Sequence, residues 1–270
     1  MSAHAIEIRP CESLDEFEMC VQLQIAVWGH SESDLVPRKV FLLARKIGGQ
    51  VFGAFLAEAE TGVFPSSGTV PLVGFAMALP GYRNGHAYLH SHMLAVFPGY
   101  RDAGLGRRLK MAQRDDALAR GIDLIEWTFD PLQGKNAYLN LEKLGAIARR
   151  YTANFYGPST SPLQGGLPTD RLHAEWWLRS RRVESALKGI APSALQGDAG
   201  HESATVILPH ALDRWKQSPE EGAAALEIQS RNRKCFESGF AQGLSVLRFH
   251  SDPEGNGVYT LGRWDEDFRY

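Results

Sequence analysis

Apolar positions along this chain follow two rhythms, one near every third or fourth residue and one at every second, and their alternation lays out the elements. Residues 5–10 read as a short strand. Across 13–29, Leu14, Phe17, Val21 and Ile25 recur at near-helical spacing; Ser13 can cap this helix and Gly29 can end it. Residues 38–47 form a second helical stretch, stopped by Gly48 and Gly49. Two strand patterns, 51–58 and 72–79, flank a connection over 61–71 that is rich in Gly, Ser and Pro. A strand over 87–96 leads to a helix over 104–120, for which Gly121 is a natural stop. The strand over 123–130 sets Leu124, Glu126 and Thr128 on one face and Ile125, Trp127 and Phe129 on the other. A helix over 135–144 ends at Gly145, and strands over 148–155 and 171–179 follow.

Antiparallel strands first, then strand, helix, strand, helix, strand, predict an α/β (α+β) fold. Its central sheet is mixed, mostly antiparallel and flanked by helices on both faces. Residues 186–200, rich in Ala, Gly, Pro and Ser, read as a connector. Beyond them come an apolar run over 204–208, a helix over 219–239, and strands over 244–250 and 258–261. The expected organisation is a main domain over 1–182, a connector over 183–203 and a smaller C-terminal α+β extension over 204–270. The extension is expected to shape an acceptor pocket or to make a homodimer contact.

Composition narrows the function classes. A chain of 270 residues buries a substantial core. A formal net charge of −2 gives no long-range pull toward nucleic acid or an anionic membrane. No apolar run is long enough to span a bilayer, and residues 1–18 lack the basic and apolar blocks of a signal peptide. Cys11, Cys20 and Cys235 form no close pair, which argues against a disulfide framework or a cysteine zinc site. A cytoplasmic location is the simplest expectation.

The densest chemical signal runs from Leu94 to Leu109. Val96-Phe97-Pro98-Gly99-Tyr100 closes a strand in a turn, and Arg101-Asp102-Ala103-Gly104-Leu105-Gly106 opens a helix. A helix start exposes N–H groups with no intrahelical partner at the positive end of the dipole, which favours an anion and above all a phosphate. Gly104 and Gly106 lack Cβ atoms, so a ligand can approach the backbone closely. The plain alternative is a glycine-rich helix start with no ligand. A dinucleotide turn, Gly-x-Gly-x-x-Gly, fits less well. Asp130 or Glu126 could pose as its ribose acid, but Leu109 holds the third glycine position and residues 98–103 separate the strand from the first glycine.

The string resembles the signature of the GNAT superfamily of acyl-CoA N-acyltransferases: Arg or Gln, two residues, Gly, one residue, then Gly or Ala. The resemblance covers roughly residues 5 to 180. A less characterised branch is marked by Asp130-Pro131-Leu132 and by Asn136-Ala137-Tyr138-Leu139-Asn140-Leu141-Glu142-Lys143-Leu144-Gly145. The resemblance implies a GNAT-like fold, acetyl-CoA or another acyl-CoA as co-substrate, and an amine acceptor that the sequence does not identify. Transfer would be direct, in a ternary complex. Amides of Ala103, Gly104, Leu105, Gly106 and Arg107 would hold the pyrophosphate, with charge added by Arg101, Arg107 and Arg108. The backbone of Leu94 and Val96 would hold the pantetheine arm and polarise the thioester carbonyl. Asn136 and Asn140 would bond the pantetheine amides or the substrate, or else serve as surface and capping residues.

Such a transfer needs a base for the amine, a donor for the oxyanion and a proton for the leaving thiolate. His90, His92, Glu126 and Asp130 are candidate bases, with His92 and Glu126 foremost. An imidazole titrates in the right range, and period-two spacing puts His90 and His92 on one face with Leu94. The bland reading makes both histidines satisfied sheet residues. Glu126 lies mid-strand, where it needs water, a cation or a substrate amine beside it. The family often carries an acidic tyrosine at the position that is Leu141 here. Tyr138, one turn earlier, is the candidate acid, with Tyr151 and Tyr156 behind it. The departure at Leu141 keeps open a module that binds acyl-CoA without turnover. His86, His90 and His92 suggest a metal site only weakly: His-x-His on a strand can offer two ligands to one ion, and no compelling third is evident. Trp176 and Trp177 read as core, and Arg179, Arg181 and Arg182 as a solvated strand end or a ribose-phosphate contact.

Overall fold

The computed structural model describes residues 5–29, 34–57, 71–159, 164–190, 202–217 and 221–268. The expected connections over 61–71 and 186–200 lie largely outside the described residues. The chain divides into two compact units, Met1–Ile125 and Glu126–Tyr270.

In Met1–Ile125, β1 (Ile6–Pro10), β2 (Gln50–Leu56), β3 (Leu72–Arg83) and β4 (His86–Val96) pair antiparallel in that order. Helices α1 (Leu14–Trp28) and α2 (Arg38–Lys46) cover one face, where Phe17, Cys20, Leu23, Phe41 and Ala44 pack on Phe55, Phe75 and Met77. Helix α3 (Leu105–Ala119) covers the other, with Leu105 and Leu109 on Ala54, Val73 and Ala76. The start of α1 is a capping box: the Ser13 hydroxyl accepts from Glu16 N–H, and the Glu16 carboxylate accepts from Ser13 N–H. Gly29 ends the helix at φ 62°.

Strands β3 and β4 are longer than the pattern predicted, because Asn84-Gly85 makes a two-residue hairpin with Arg83 opposite His86. Both turn residues have positive φ, 50° and 87°, as such a turn requires. That dipeptide is a strong hairpin signal, and the periodicity argument passed over it.

In Glu126–Tyr270, β5 (Leu124–Phe129, which begins in the first unit), β6 (Ile147–Thr152), β7 (Arg171–Trp177), β8 (Glu202–Leu208), β9 (Ser245–Ser251) and β10 (Gly257–Gly262) form a sheet in the order β5-β7-β6-β9-β10-β8. Its β6–β7, β6–β9, β9–β10 and β8–β10 pairings are antiparallel. The expected helix over 135–144 is α4 (Gly134–Tyr138) running into a π turn over Leu139–Lys143, where Leu144 N–H reaches Leu139 O. Three more helices are α5 (Arg181–Leu187), α6 (Leu212–Gln217) and α7 (Gly222–Ala241).

One face of this sheet is apolar. Trp127 stands edge-on to Trp176, whose indole donates to Leu144 O, and Tyr151 stacks on Phe236 of α7. The other face is polar. It carries Glu126, Thr128, Arg150, His173 and Glu175, with Trp177 stacked against Trp264 and Phe268. The tandem Trp176-Trp177 therefore serves two different layers, because neighbouring strand residues point to opposite sides.

The extension is not a separate satellite: residues 202–268 share this unit with residues 126–190. Arg233 of α7 grips Asp170 with two bonds of 2.9 Å, and Tyr151 donates to the same carboxylate at 2.6 Å. The 1–182 boundary drawn from composition falls inside α5 and does not coincide with either unit.

Candidate functional site

In Met1–Ile125 the glycine-rich turn takes the form the sequence suggested. Strand β4 ends at Val96, a 3-10 turn spans Pro98–Tyr100, and Gly104 starts α3 at φ 74° with no side chain capping it. The first intrahelical bond runs from Arg108 N–H to Gly104 O, 3.1 Å, so the N–H groups of Leu105 and Gly106 precede the helix's hydrogen-bond ladder. A Cβ placed on Gly104 would meet nothing within 4 Å, and one on Gly106 would meet only Leu94 Cδ2 at 3.5 Å. Asp102 also has positive φ, 62°. The turn thus combines a helix start that no side chain caps with open space at Gly104.

Not every arginine assigned to the turn is offered to it. Arg108 reaches Ile6 O at 2.7 Å, which ties α3 to β1 instead. Arg101 Nε donates to Val96 O at 3.2 Å. Leu109, which breaks the dinucleotide pattern, is fully buried in the α3 core.

The strand before the turn is bulged. Met77 pairs with Met93 but Ala78 pairs with Ser91, so His92 is the extra residue on β4. This corrects the expected face sharing. His90 and His92 remain neighbours, with ring centroids 6.4 Å apart, but the bulge resets the alternation and Leu94 joins Leu105 and Leu109 on the α3 side. Beyond the bulge, Phe97 N–H bonds Val73 O at 2.9 Å. Val96 and Leu94, at the alternate positions of this antiparallel pair, therefore turn their N–H and C=O groups away from β3. Burial first, and His90 second, hold the half-buried His92 imidazole below the ordinary histidine range, so it is neutral and able to accept a proton.

In Glu126–Tyr270 the candidates separate. Glu126 lies on the polar face, nearly buried, with Arg150 Nη2 donating to its Oε2 at 2.7 Å. The cation that a mid-strand carboxylate needs is thus Arg150, which the sequence reading missed. A bulge at Arg149 on β6 places it there, and no local signal announces a bulge. Tyr138 belongs to α4 on the opposite, apolar face, half exposed, with Lys143 Nζ 5.2 Å from its ring centre. The fold therefore does not bring Tyr138 and Glu126 together. Tyr138 instead lines a cavity of about 400 Å³ with Leu132, Lys135, Leu208, His210 and Phe249.

Of the other phenols, Tyr151 is held as a donor to Asp170; burial, then that bond, push it far above the ordinary tyrosine range. The Tyr156 hydroxyl lies 2.9 Å from Thr128 Oγ1, on the Glu126 face. Leu141 is fully buried. Asn140 Nδ2 donates to Asn136 Oδ1 at 3.3 Å, with Asn140 almost wholly buried and Asn136 partly open. Asp130 accepts from Leu132 N–H at 2.8 Å and from Lys216 Nζ at 3.2 Å, which leaves it poorly suited to act as a base. Arg182 is buried and donates to Leu141 O and Leu247 O, so it is not a solvated strand end, whereas Arg181 stays exposed at the start of α5 and pairs with Asp265. Among the described residues, no group of three His, Cys, Asp or Glu side chains is placed to hold a metal ion, and no helix is long and apolar enough to cross a membrane.

The acetyltransferase (GNAT) family model matches residues 20–145 of this chain. No curated protein matches the sequence. Among solved structures, a chain of the NatC complex bound to Gag peptide and CoA is similar at 16% identity and TM-score 0.49, over 63% of this chain and 96% of that one. The ribosomal-protein-S18-alanine N-acetyltransferase from Escherichia coli is similar at 17% identity and TM-score 0.47, over 65% and 96%. Arabidopsis thaliana NAA60, in complex with a bisubstrate analogue, is similar at 14% identity and TM-score 0.48, over 64% and 98%.

Proposed function

We propose, from the match of the acetyltransferase (GNAT) family model to residues 20–145, that the chain transfers an acyl group, acetyl foremost, from acyl-CoA to a primary amine. One observation carries this reading: Gly104 opens α3 at φ 74° with no side-chain cap, one short turn after a bulged strand whose Leu94 and Val96 backbone groups face away from β3. The turn binds the pyrophosphate through the amides of Leu105 and Gly106, with Ala103 and Gly104 shaping the curl. Each charge-assisted bond is worth roughly 1.5–3 kcal/mol. Backbone groups of Leu94 and Val96 hold the pantetheine arm and donate to the thioester oxygen. On the resemblance alone, Asn136 and Asn140 are candidates to bond the pantetheine amides or the substrate.

The amine nitrogen attacks the thioester carbonyl carbon, a C–N bond forms and the C–S bond breaks. The amine loses its proton to a base, and the thiolate leaves and takes up a proton. His92 is the preferred base because it is neutral and half-buried beside the strand groups assigned to the thioester. Glu126 is second, since Arg150 already holds its carboxylate. No chain residue is acylated on the way.

The test is direct. The chain is incubated with acetyl-CoA and a panel of primary amines while free thiol is followed, with calorimetric titration of CoA alongside. Thiol release that depends on the amine supports the transfer. A chain that binds no CoA sinks the reading. A second reading, CoA binding without turnover, is favoured by Leu141 in the place of the family's tyrosine and by the separation of Tyr138 from Glu126. Binding without amine-dependent thiol release would select it.

A further inference from the structure

We infer that the cavity beside Phe249 is a second binding site, and that it takes a small organic monocarboxylate with an aromatic or branched apolar body. The cavity lies wholly within Glu126–Tyr270 and measures about 400 Å³. That is a volume typical of small-molecule sites. The inference does not rest on the acyl transfer proposed above.

The floor is apolar: Leu132, Leu208, Leu212 and Phe249 line it, each no more than 4% exposed. Two glycines make room for the Phe249 ring. A Cβ on Gly134 would stand 3.1 Å from its Cζ, and one on Gly257 would stand 2.5 Å from the same atom. The rim is cationic. Lys135, in the first turn of α4, and His210, just after β8, both line the cavity and are both exposed. Among the described residues neither side chain pairs with a carboxylate, and no Asp or Glu lines the cavity. Elsewhere in this unit Lys216 and Arg233 meet Asp130 and Asp170 at 3.2 and 2.7 Å. Tyr138 and Ser251 add hydroxyl groups to the lining.

These walls select the ligand by chemistry. An amine would meet like charge at Lys135, so the cavity does not suit the acceptor of the proposed transfer. A purely apolar molecule would cover the ammonium without pairing it, which costs free energy. A polyphosphate would need more donors than the walls offer, because the loop between β9 and β10 uses its own. There Asp252 N–H bonds Asn256 O at 2.9 Å, Gly255 N–H bonds Asp252 O at 3.0 Å, and Asn256 N–H bonds Asp252 Oδ1 at 2.7 Å. The Asp252 carboxylate is turned into the same loop, where Asn256 Nδ2 donates to its Oδ2 at 2.9 Å. The cavity thus offers a charge-assisted bond from Lys135, a neutral or charged hydrogen bond from His210 or a hydroxyl, and an aromatic floor at Phe249. A monocarboxylate with an apolar body uses all three.

The experiment is calorimetric titration of the full chain with phenylpropionate, phenylbutyrate, indoleacetate and the branched isocaproate, each beside its neutral primary amide. At least one carboxylate should bind saturably, and its amide should bind roughly tenfold or more weakly, as loss of a charge-assisted bond predicts. Lys135→Met should weaken the carboxylate by about the same factor and leave the amide unchanged. Ser251→Phe should abolish binding of both by filling the cavity, with thermal melting to show that the variant folds. Should it not fold, Lys135→Met, at an exposed position, decides the matter alone. Binding of none of the acids, equal binding of acid and amide, or an unchanged carboxylate affinity in Lys135→Met overturns the inference. So does displacement of the carboxylate by CoA, which would give the cavity to the coenzyme. A chain that fails to bind CoA sinks the proposed function and leaves this site standing.

Discussion

Lys110 and Ser91 meet inside the layer between α3 and β4: Lys110 Nζ donates to Ser91 Oγ at 2.8 Å, and the Ser91 hydroxyl donates to Gln113 Oε1 at 2.9 Å. Ser91 adjoins the bulge residue His92. The contact therefore links the helix of the phosphate turn to the distorted part of the strand.

Burial lowers the Lys110 amine from its ordinary value of 10.5 to about 7. Between those values the unfolded chain binds more protons than the folded one, so this residue makes stability rise with pH, at roughly 1.4 kcal/mol per unit. Below about pH 7 its destabilising effect is fully present. Lys110→Met should flatten the slope between pH 7 and 10 and raise the melting temperature most on the acid side. Urea unfolding across that range measures it. An identical slope in the variant would remove Lys110 as its source.

Gly104→Ala should separate binding from folding. A side chain at φ 74° costs about 1 kcal/mol of stability, and its methyl group would project into the space reserved for the diphosphate. Loss of even one charge-assisted bond weakens CoA by about tenfold or more. Gly99→Ala, where a Cβ meets only Phe97 at 3.8 Å, should leave the affinity unchanged. Titration of both variants decides the matter, and equal affinities would count against the turn.

The base can be identified from the pH dependence of the rate. His92 lies below the ordinary histidine value of 6.5, so its deprotonation sets an acid limb whose midpoint falls under that value, with a plateau above. His92→Gln should abolish the limb. Glu126→Gln should leave its midpoint in place, because Arg150 already fixes that carboxylate. A limb that survives in the first variant and moves in the second reverses the assignment.

The elements and the backbone form of the Gly104 turn were legible because they are local. Ser13 with Glu16, Gly29, Gly104 and Gly121 are caps and stops whose effect depends on a few neighbouring residues. The β3–β4 hairpin was equally legible in Asn84-Gly85. What could not be read were the bulges at His92 and Arg149, since a bulge is settled by the strand opposite and not by the residue inserted. The first moved Leu94 off the histidine face, and the second put Arg150 onto Glu126.

The long-range ion pairs belong to the same class. Arg182, read as a strand-end charge, lies buried under the π turn, while Asp130, Asp170 and Glu142 found partners 63 to 107 positions away. The amino-acid order alone determined where helices begin, where strands alternate and which glycine turn opens α3, because those depend on backbone sterics and side-chain period. Only the folded chain decided which face each side chain serves and which charges meet. Those outcomes depend on register and on low-dielectric contacts between segments far apart in sequence.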